Sequence, residues 1–116
     1  MIKNYYESFK NKTINMELSE LNKEIKNWTK EIKDDPFYSF AYYKRGFAYF
    51  SARKLDEAIE DFTKAISLDS DDEWAYTYRG LANHALGNKK EAIRDWEVAA
   101  DMGNQLAREA LNRYSK

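Results

Sequence analysis

A period of 34 residues runs through the middle of this chain and constrains its fold more than any other feature. Ala41-Tyr42-x-x-Arg45-Gly46-x-Ala48 returns as Ala75-Tyr76-x-x-Arg79-Gly80-x-Ala82. Further on, Glu57-Ala58-Ile59-x-Asp61-Phe62-x-x-Ala65 returns as Glu91-Ala92-Ile93-x-Asp95-Trp96-x-x-Ala99. Residues 39–72 and 73–106 align without a gap, and ten of the 34 positions are identical. A fixed period of this length marks stacked copies of one small unit, each burying its apolar face on the next. The functional question becomes one of surfaces rather than of a reaction.

Each unit reads as two helices. In the first, residues from Ser39 to Ala52 are apolar on more than one side, with Phe40, Ala41, Tyr42, Tyr43, Phe47, Ala48, Tyr49 and Phe50. A helix of that kind must be covered on more than one face. Leu55 to Leu68 carries a single stripe of Ala58, Ile59, Phe62, Ala65 and Ile66, with Asp56 and Glu57 in the first turn, where the helix dipole favours negative charge. The second unit repeats this over about Glu73–Leu86 and Lys89–Met102, with Gly87-Asn88 between. After Gly103-Asn104 a last stretch, Leu106, Ala107, Ala110, Leu111 and Tyr114, has one apolar and one polar face, which suits a terminal cap.

The N-terminal third is less regular. Leu18, Leu21, Ile25, Trp28 and Ile32 predict an amphipathic helix ended by Pro36, since the residue before a proline is pushed from helical angles. Ile2, Tyr5, Tyr6 and Phe9 predict a further short helix, linked through Asn11 to Asn15. The expected fold is all-α, with about seven helices and no linker long enough to separate domains. A single proline and four glycines leave little room for a turn-rich β architecture.

Charge excludes some partners. The net charge is −1, and no run exceeds two adjacent basic residues, so the basic stripe of a nucleic-acid binder is absent. No apolar run approaches the roughly 18 residues that a membrane-spanning helix needs. The first residues lack the apolar core of a signal peptide, and the absence of cysteine fits a cytoplasmic chain.

These residues resemble the tetratricopeptide repeat (TPR), a 34-residue helix–turn–helix unit, most strongly over 39–106. The positions that the family pattern marks hold Tyr42, Gly46, Tyr49, Ala58, Phe62, Ala65 and Ser70, then Tyr76, Gly80, Asn83, Ala92, Trp96, Ala99 and Asn104. Both prolines of the pattern are missing, and Asn83 replaces an aromatic. One period earlier, Pro36 and Trp28 fall on family positions, whereas Lys12, Glu24 and Glu31 do not. Trp96-x-x-Ala99-Ala100-x-Met102-Gly103-Asn104-x-x-Ala107 is also similar to the related Sel-type repeats. The resemblance implies antiparallel helix pairs stacked as a short right-handed superhelix. It divides the single domain 1–116 into N-terminal helices or a degenerate repeat (1–38), two repeats (39–72 and 73–106) and a capping helix (104–116).

Catalysis is not expected. His84 is the one histidine, so a helix-borne zinc site lacks partners, and no cofactor is expected. The carboxylate pairs Glu60/Asp61, Asp34/Asp35 and Asp71/Asp72 read as solvated faces or helix caps. No phosphate-binding, dinucleotide, zinc-protease or nucleophile-elbow motif occurs. By resemblance, the first helices of successive units line a concave groove. Its wall here would be Phe40, Tyr43, Phe47, Phe50 and Ser51, then Trp74, Thr77, Leu81, His84 and Ala85. The family's clamp for acidic C-terminal tails wants Lys, Asn and Asn where this chain has Tyr43, Phe47 and Tyr78, which disfavours such a tail. The expected function is a protein-interaction module, an adaptor or scaffold holding a peptide or protein segment on this aromatic face. The alternative is a structural homo-oligomerisation module with a self-filled groove. Separately, the density of aromatics leads us to expect partial covering by the N-terminal segment, with the Trp74/Leu81/His84 end left accessible.

Two units fall short of the roughly three that stable stacks need. A fragment of residues 39–106 is therefore expected to melt well below the full chain by circular dichroism. Equal melting would remove the capping role from both ends.

Overall fold

The computed structural model describes residues 2–116, with side chains from residue 17 onward. Among the described residues all regular structure is helical: α1 (Ile2–Asp34), α2 (Ser39–Ser51), α3 (Leu55–Leu68), α4 (Glu73–Ala85), α5 (Lys89–Asp101) and α6 (Gln105–Tyr114). Each helix packs on the next in sequence, and α2 also touches α4. The described residues thus form six helices where about seven were expected, because the short helix and link expected before Leu18 are continuous with α1. Asn11 to Asn15 contain neither Gly nor Pro, and their weak propensities cost only about 0.5 kcal/mol per residue. Expectations about the side chains of residues 1–16 lie outside the described residues.

Close approach within a unit rests on missing side chains. A Cβ on Gly46 would sit 2.9 Å from the Phe62 ring, and one on Gly80 would sit 2.7 Å from Cδ1 of Trp96. Phe62 and Trp96 are fully buried, and the Trp96 indole donates to the Thr77 carbonyl at 3.2 Å. Ala41, Ala48, Ala58, Ala65, Ala75, Ala82, Ala92, Ala99 and Ala107 are all fully buried, so the helices meet through alanine while the aromatics fill the hollows.

Polar contacts repeat with the same period. The Arg45 guanidinium donates two hydrogen bonds to Asp61, both 2.7 Å, and a third to the Thr29 hydroxyl at 3.3 Å. Arg79 does the same to Asp95, at 2.8 and 2.7 Å, and to Thr63 at 3.1 Å. Each arginine therefore joins three helices: its own, its partner within the unit, and the second helix of the unit before. The Asp35 carboxylate accepts from the Phe37 amide, as Asp69 accepts from Asp71, closing the same turn ahead of α2 and α4. Thr29 and Asp35 thus place the C-terminal part of α1 against α2 with the same contacts that α3 makes to α4. Glu24 and Glu31, at the alanine places, are exposed.

The turn inside each unit leaves the first helix through a left-handed residue. Arg53 (φ 65) and Gly87 (φ 87) hold equivalent places, with Lys54 N donating to Tyr49 O and Asn88 N to Asn83 O. Asp72 caps α4 by accepting from the Ala75 amide at 3.1 Å. Asn104 caps α6 through Ala107 at 2.9 Å while its amide donates to Glu73. Ala75 follows Phe62 by 13 residues, but Ala107 follows Trp96 by only 11. The last connection is shorter, and α6 enters two residues early relative to the repeat.

Two glycines separate crowding from backbone strain. Gly80→Val is expected to cost about 3 kcal/mol by overpacking against Trp96. At Gly87 an added Cβ meets nothing, so Gly87→Ala should cost only the left-handed penalty of about 1 kcal/mol. Urea midpoints of the two variants check the difference.

Candidate functional site: an aromatic concave face

The first helices α2, α4 and α6 stand side by side and form one face. Phe40 and Trp74 lie one period apart and are its most open aromatics, 48% and 43% exposed. Between α2 and α4 runs a cleft of about 250 Å³ lined by Tyr43, Lys44, Phe47, Trp74 and Tyr78. Tyr43 and Phe47 form one wall, with ring centres 6.5 Å apart. Trp74 and Tyr78 form the other, stacked at 6.1 Å and 27°. At the base Phe47 meets Tyr78 edge-on at 4.9 Å, and Phe50 meets the same ring at 5.5 Å. A second cleft of about 380 Å³ lies between α4 and α6, lined by Leu81, Leu106, Glu109, Ala110, Arg113 and Tyr114.

Of the residues expected on this face, Phe40 and Trp74 are exposed, and Tyr43, Phe47, Phe50, Leu81 and His84 are half-buried. Ser51 and Ala85 are exposed at the helix ends. Thr77 is different: it is fully buried, and its hydroxyl donates to the Glu73 carbonyl at 2.9 Å. It belongs to the packing under Trp96 and offers a partner no surface. The His84 ring is covered on one side by Tyr114, with centres 4.1 Å apart, and lies 5.7 Å from Trp96. At that end α6 thus covers one side of His84, while Trp74 stays exposed and Leu81 lines the second cleft.

Among the described residues, α1 reaches this face only at its edge, where Trp28 meets Phe40 edge-on at 5.8 Å. The remainder of 17–34 packs beside α2 through Ile32 and Thr29, so these residues do not fill the cleft. Covering by residues 1–16 lies outside the described side chains. The sequence pattern left out Lys44, Leu106, Glu109 and Arg113. Lys44 was recoverable from Tyr78, its equivalent one period on; the α6 residues were hidden by the shortened connection.

Burial pushes the Tyr43 phenol up to about 12, and the nearby Tyr78 and Asp72 add to the effect. Burial also raises the Asp72 carboxyl, while the Ala75 amide pulls it back. Arg45 and Arg79 are held above their ordinary value by the hydrogen bonds to Asp61 and Asp95, while burial raises the Asp61 carboxyl against the opposing pull of Arg45. The Lys44 ammonium lies 5.9 Å from the centre of the Phe40 ring. Among the described residues, no group of three or more His, Cys, Asp or Glu side chains is placed to hold a metal ion. No helix among them is long and apolar enough to cross a membrane.

Comparison with known proteins agrees with this architecture. A family model described as tetratricopeptide repeat matches residues 39–72. The TPR domain of Arabidopsis OM64 is 29% identical with a TM-score of 0.81, over 84% of this chain and 82% of that one. The first TPR domain of Spaghetti (RPAP3), bound to the HSP90 peptide SRMEEVD, is 29% identical with a TM-score of 0.80, over 90% and 83%. The second TPR domain of human RPAP3, in complex with the HSP70 peptide SGPTIEEVD, is 33% identical with a TM-score of 0.75, over 79% and 78%. No curated protein sequence matches the chain. The chain belongs to the tetratricopeptide repeat family.

The Tyr43 phenol gives this face a pH signature. Its folded value lies above the ordinary 10.0, so the fold favours the neutral phenol. That contribution is complete below pH 10 and is lost as pH rises through about 12. Urea midpoints are expected to fall over this window, and less steeply in Tyr43→Phe.

Proposed function

We propose that this chain is a protein-interaction module that holds a peptide or protein segment on the aromatic concave face, with residues 1–116 acting as one domain. The observation that carries the reading is the pair Phe40 and Trp74, large apolar rings left open beside a cleft whose walls are themselves aromatic. Buried aromatics in a desolvated pocket are the usual source of binding energy at protein interfaces. Peptides bound by similar TPR domains support a peptide as the ligand class.

Those peptides end in Glu-Glu-Val-Asp, and holding such a tail needs several cations. Among the described residues the cleft offers Lys44 alone as a cation, with Tyr43, Phe47 and Tyr78 at the clamp positions. We therefore infer a partner recognised by apolar contact rather than by an acidic tail.

The test is capture by the full chain and by Trp74→Ala, with Lys90→Ala on exposed α5 as the control, followed by mass spectrometry. Trp74 is exposed enough that its truncation should leave the melting midpoint nearly unchanged while abolishing capture. Partners kept by Trp74→Ala would refute the groove as the site. A solution mass above that of one chain, reduced by Trp74→Ala and with no other protein captured, would instead favour homo-oligomerisation.

A further inference from the structure

One aromatic ring of the first unit has no counterpart in the second. Tyr49 of α2 returns one period later as Asn83 of α4, and a cleft stands beside the smaller residue. In the first unit the Tyr49 ring is half-buried against the core, with its centre 5.8 Å from Cζ of Arg45. The Tyr42 ring lies 5.9 Å from the same carbon, so Arg45 has two tyrosine rings beside it. Arg79, its counterpart, has the Tyr76 ring at 5.7 Å and Asn83 at the place of the second.

The space is a cleft of about 370 Å³ between Ile59 and Thr63 of α3, Arg79 and Asn83 of α4, and Arg94 and Asp95 of α5. None of these residues lines either cleft of the concave face. A cavity of about 150 Å³ is enough to hold a benzene ring. Three hydrogen bonds, to Asp95 and Thr63, hold the Arg79 guanidinium in place as Arg45 is held. A fixed guanidinium attracts an aromatic ring, and Ile59 offers the ring an apolar contact.

Asn83 adds a donor. It is only 8% exposed, and its Oδ1 accepts from Nδ2 of Asn88 at 3.1 Å, while its own NH2 group has no partner among the described residues. No fully buried side-chain nitrogen or oxygen among them lacks a partner, so this NH2 is in reach of solvent, and the cleft is what opens beside it. A ring supplied from outside enters tip first. Its para position then meets Asn83, at the place where the Tyr49 ring is rooted in the first unit. A para hydroxyl accepts from the Asn83 NH2, whereas a bare phenyl ring offers it nothing. Thr63, Glu91 and Arg94 are exposed, so the cleft is open along one side. Sites for small molecules enclose most of their ligand. An open cleft suits a side chain delivered on a protein backbone.

We propose that the cleft between α3, α4 and α5 is a second binding site, which takes a tyrosine side chain of a partner protein in the place that Tyr49 fills from within in the first unit. The ring lies beside Arg79 and its hydroxyl accepts from Asn83. This site is independent of the concave face.

The experiment is a titration of the isotopically labelled full chain with N-acetyl-tyrosinamide and with its phenylalanine and leucine counterparts. The Arg79 Nε–H and Asn83 NH2 resonances report on the cleft, Arg45 Nε–H on the equivalent place already filled, and the Trp74 indole on the concave face. The tyrosine derivative should shift Arg79 and Asn83 saturably and leave Arg45 and Trp74 in place. The phenylalanine derivative should bind about three- to tenfold more weakly. Asn83→Tyr, which gives α4 the residue that α2 carries, should abolish the shift at Arg79 with the helical spectrum intact. Asn83→Ala keeps the cleft and should erase the difference between the tyrosine and phenylalanine derivatives. Binding that survives Asn83→Tyr, or that moves Arg45 together with Arg79, overturns the proposal. So does a leucine derivative that binds as well as the tyrosine one. Shifts at Trp74 alone overturn it too and leave the concave-face reading standing. A dimer in sedimentation that Asn83→Tyr dissociates would make the tyrosine the chain's own and overturn the foreign partner.

Discussion

The whole architecture depends on how closely the two helices of a unit approach at Gly46 and Gly80. A methyl group at either place would enter the ring of Phe62 or Trp96. With the glycines in place, both aromatics are sealed and the flanking alanines come into contact. Bulk is thereby confined to the hollow between helices, and the first helices can turn their remaining aromatics outward. The open face is a by-product of this division: core volume is supplied mainly by the second helices, which frees Phe40, Tyr43, Phe47 and Trp74 for another role.

Much of this was legible in the sequence because it repeats. The boundaries of α2 to α5, the glycine contacts and the all-helical class follow from the 34-residue period and from residues whose size is constrained at each return. The arginine clamps were visible as invariant letters, Arg45/Asp61 and Arg79/Asp95, without a visible role. Thr29 and Thr63 complete them, and no pattern of hydrophobicity marks an exposed threonine.

What was illegible lies where the period breaks. Nothing in Asn11 to Asn15 announces that a helix runs through it, since polar residues of modest propensity are tolerated in a long helix. The shortened connection before α6 shifts that helix by two residues relative to the repeat, and Tyr114 rests on His84. Thr77 shows the limit of position-based assignment: a place on the groove wall of one unit, filled by Tyr43, becomes core in the next when a short side chain turns inward.

The clamp that binds each unit to its predecessor stops before the C-terminus. With α6 entering two residues early, the place taken by Arg45 and Arg79 falls to Leu111, and Glu97 stands where Thr29 and Thr63 stood. Among the described residues no arginine–carboxylate clamp then ties α6 to the array; Arg108 donates to the Ala100 carbonyl at 3.4 Å, and Asn104, its alanines and the Tyr114 ring hold it. In a nearly one-dimensional stack, stability is the sum of such nearest-neighbour terms. Local opening is therefore costlier at α3, held by both clamps through Asp61 and Thr63, than at α6, the far wall of the second cleft.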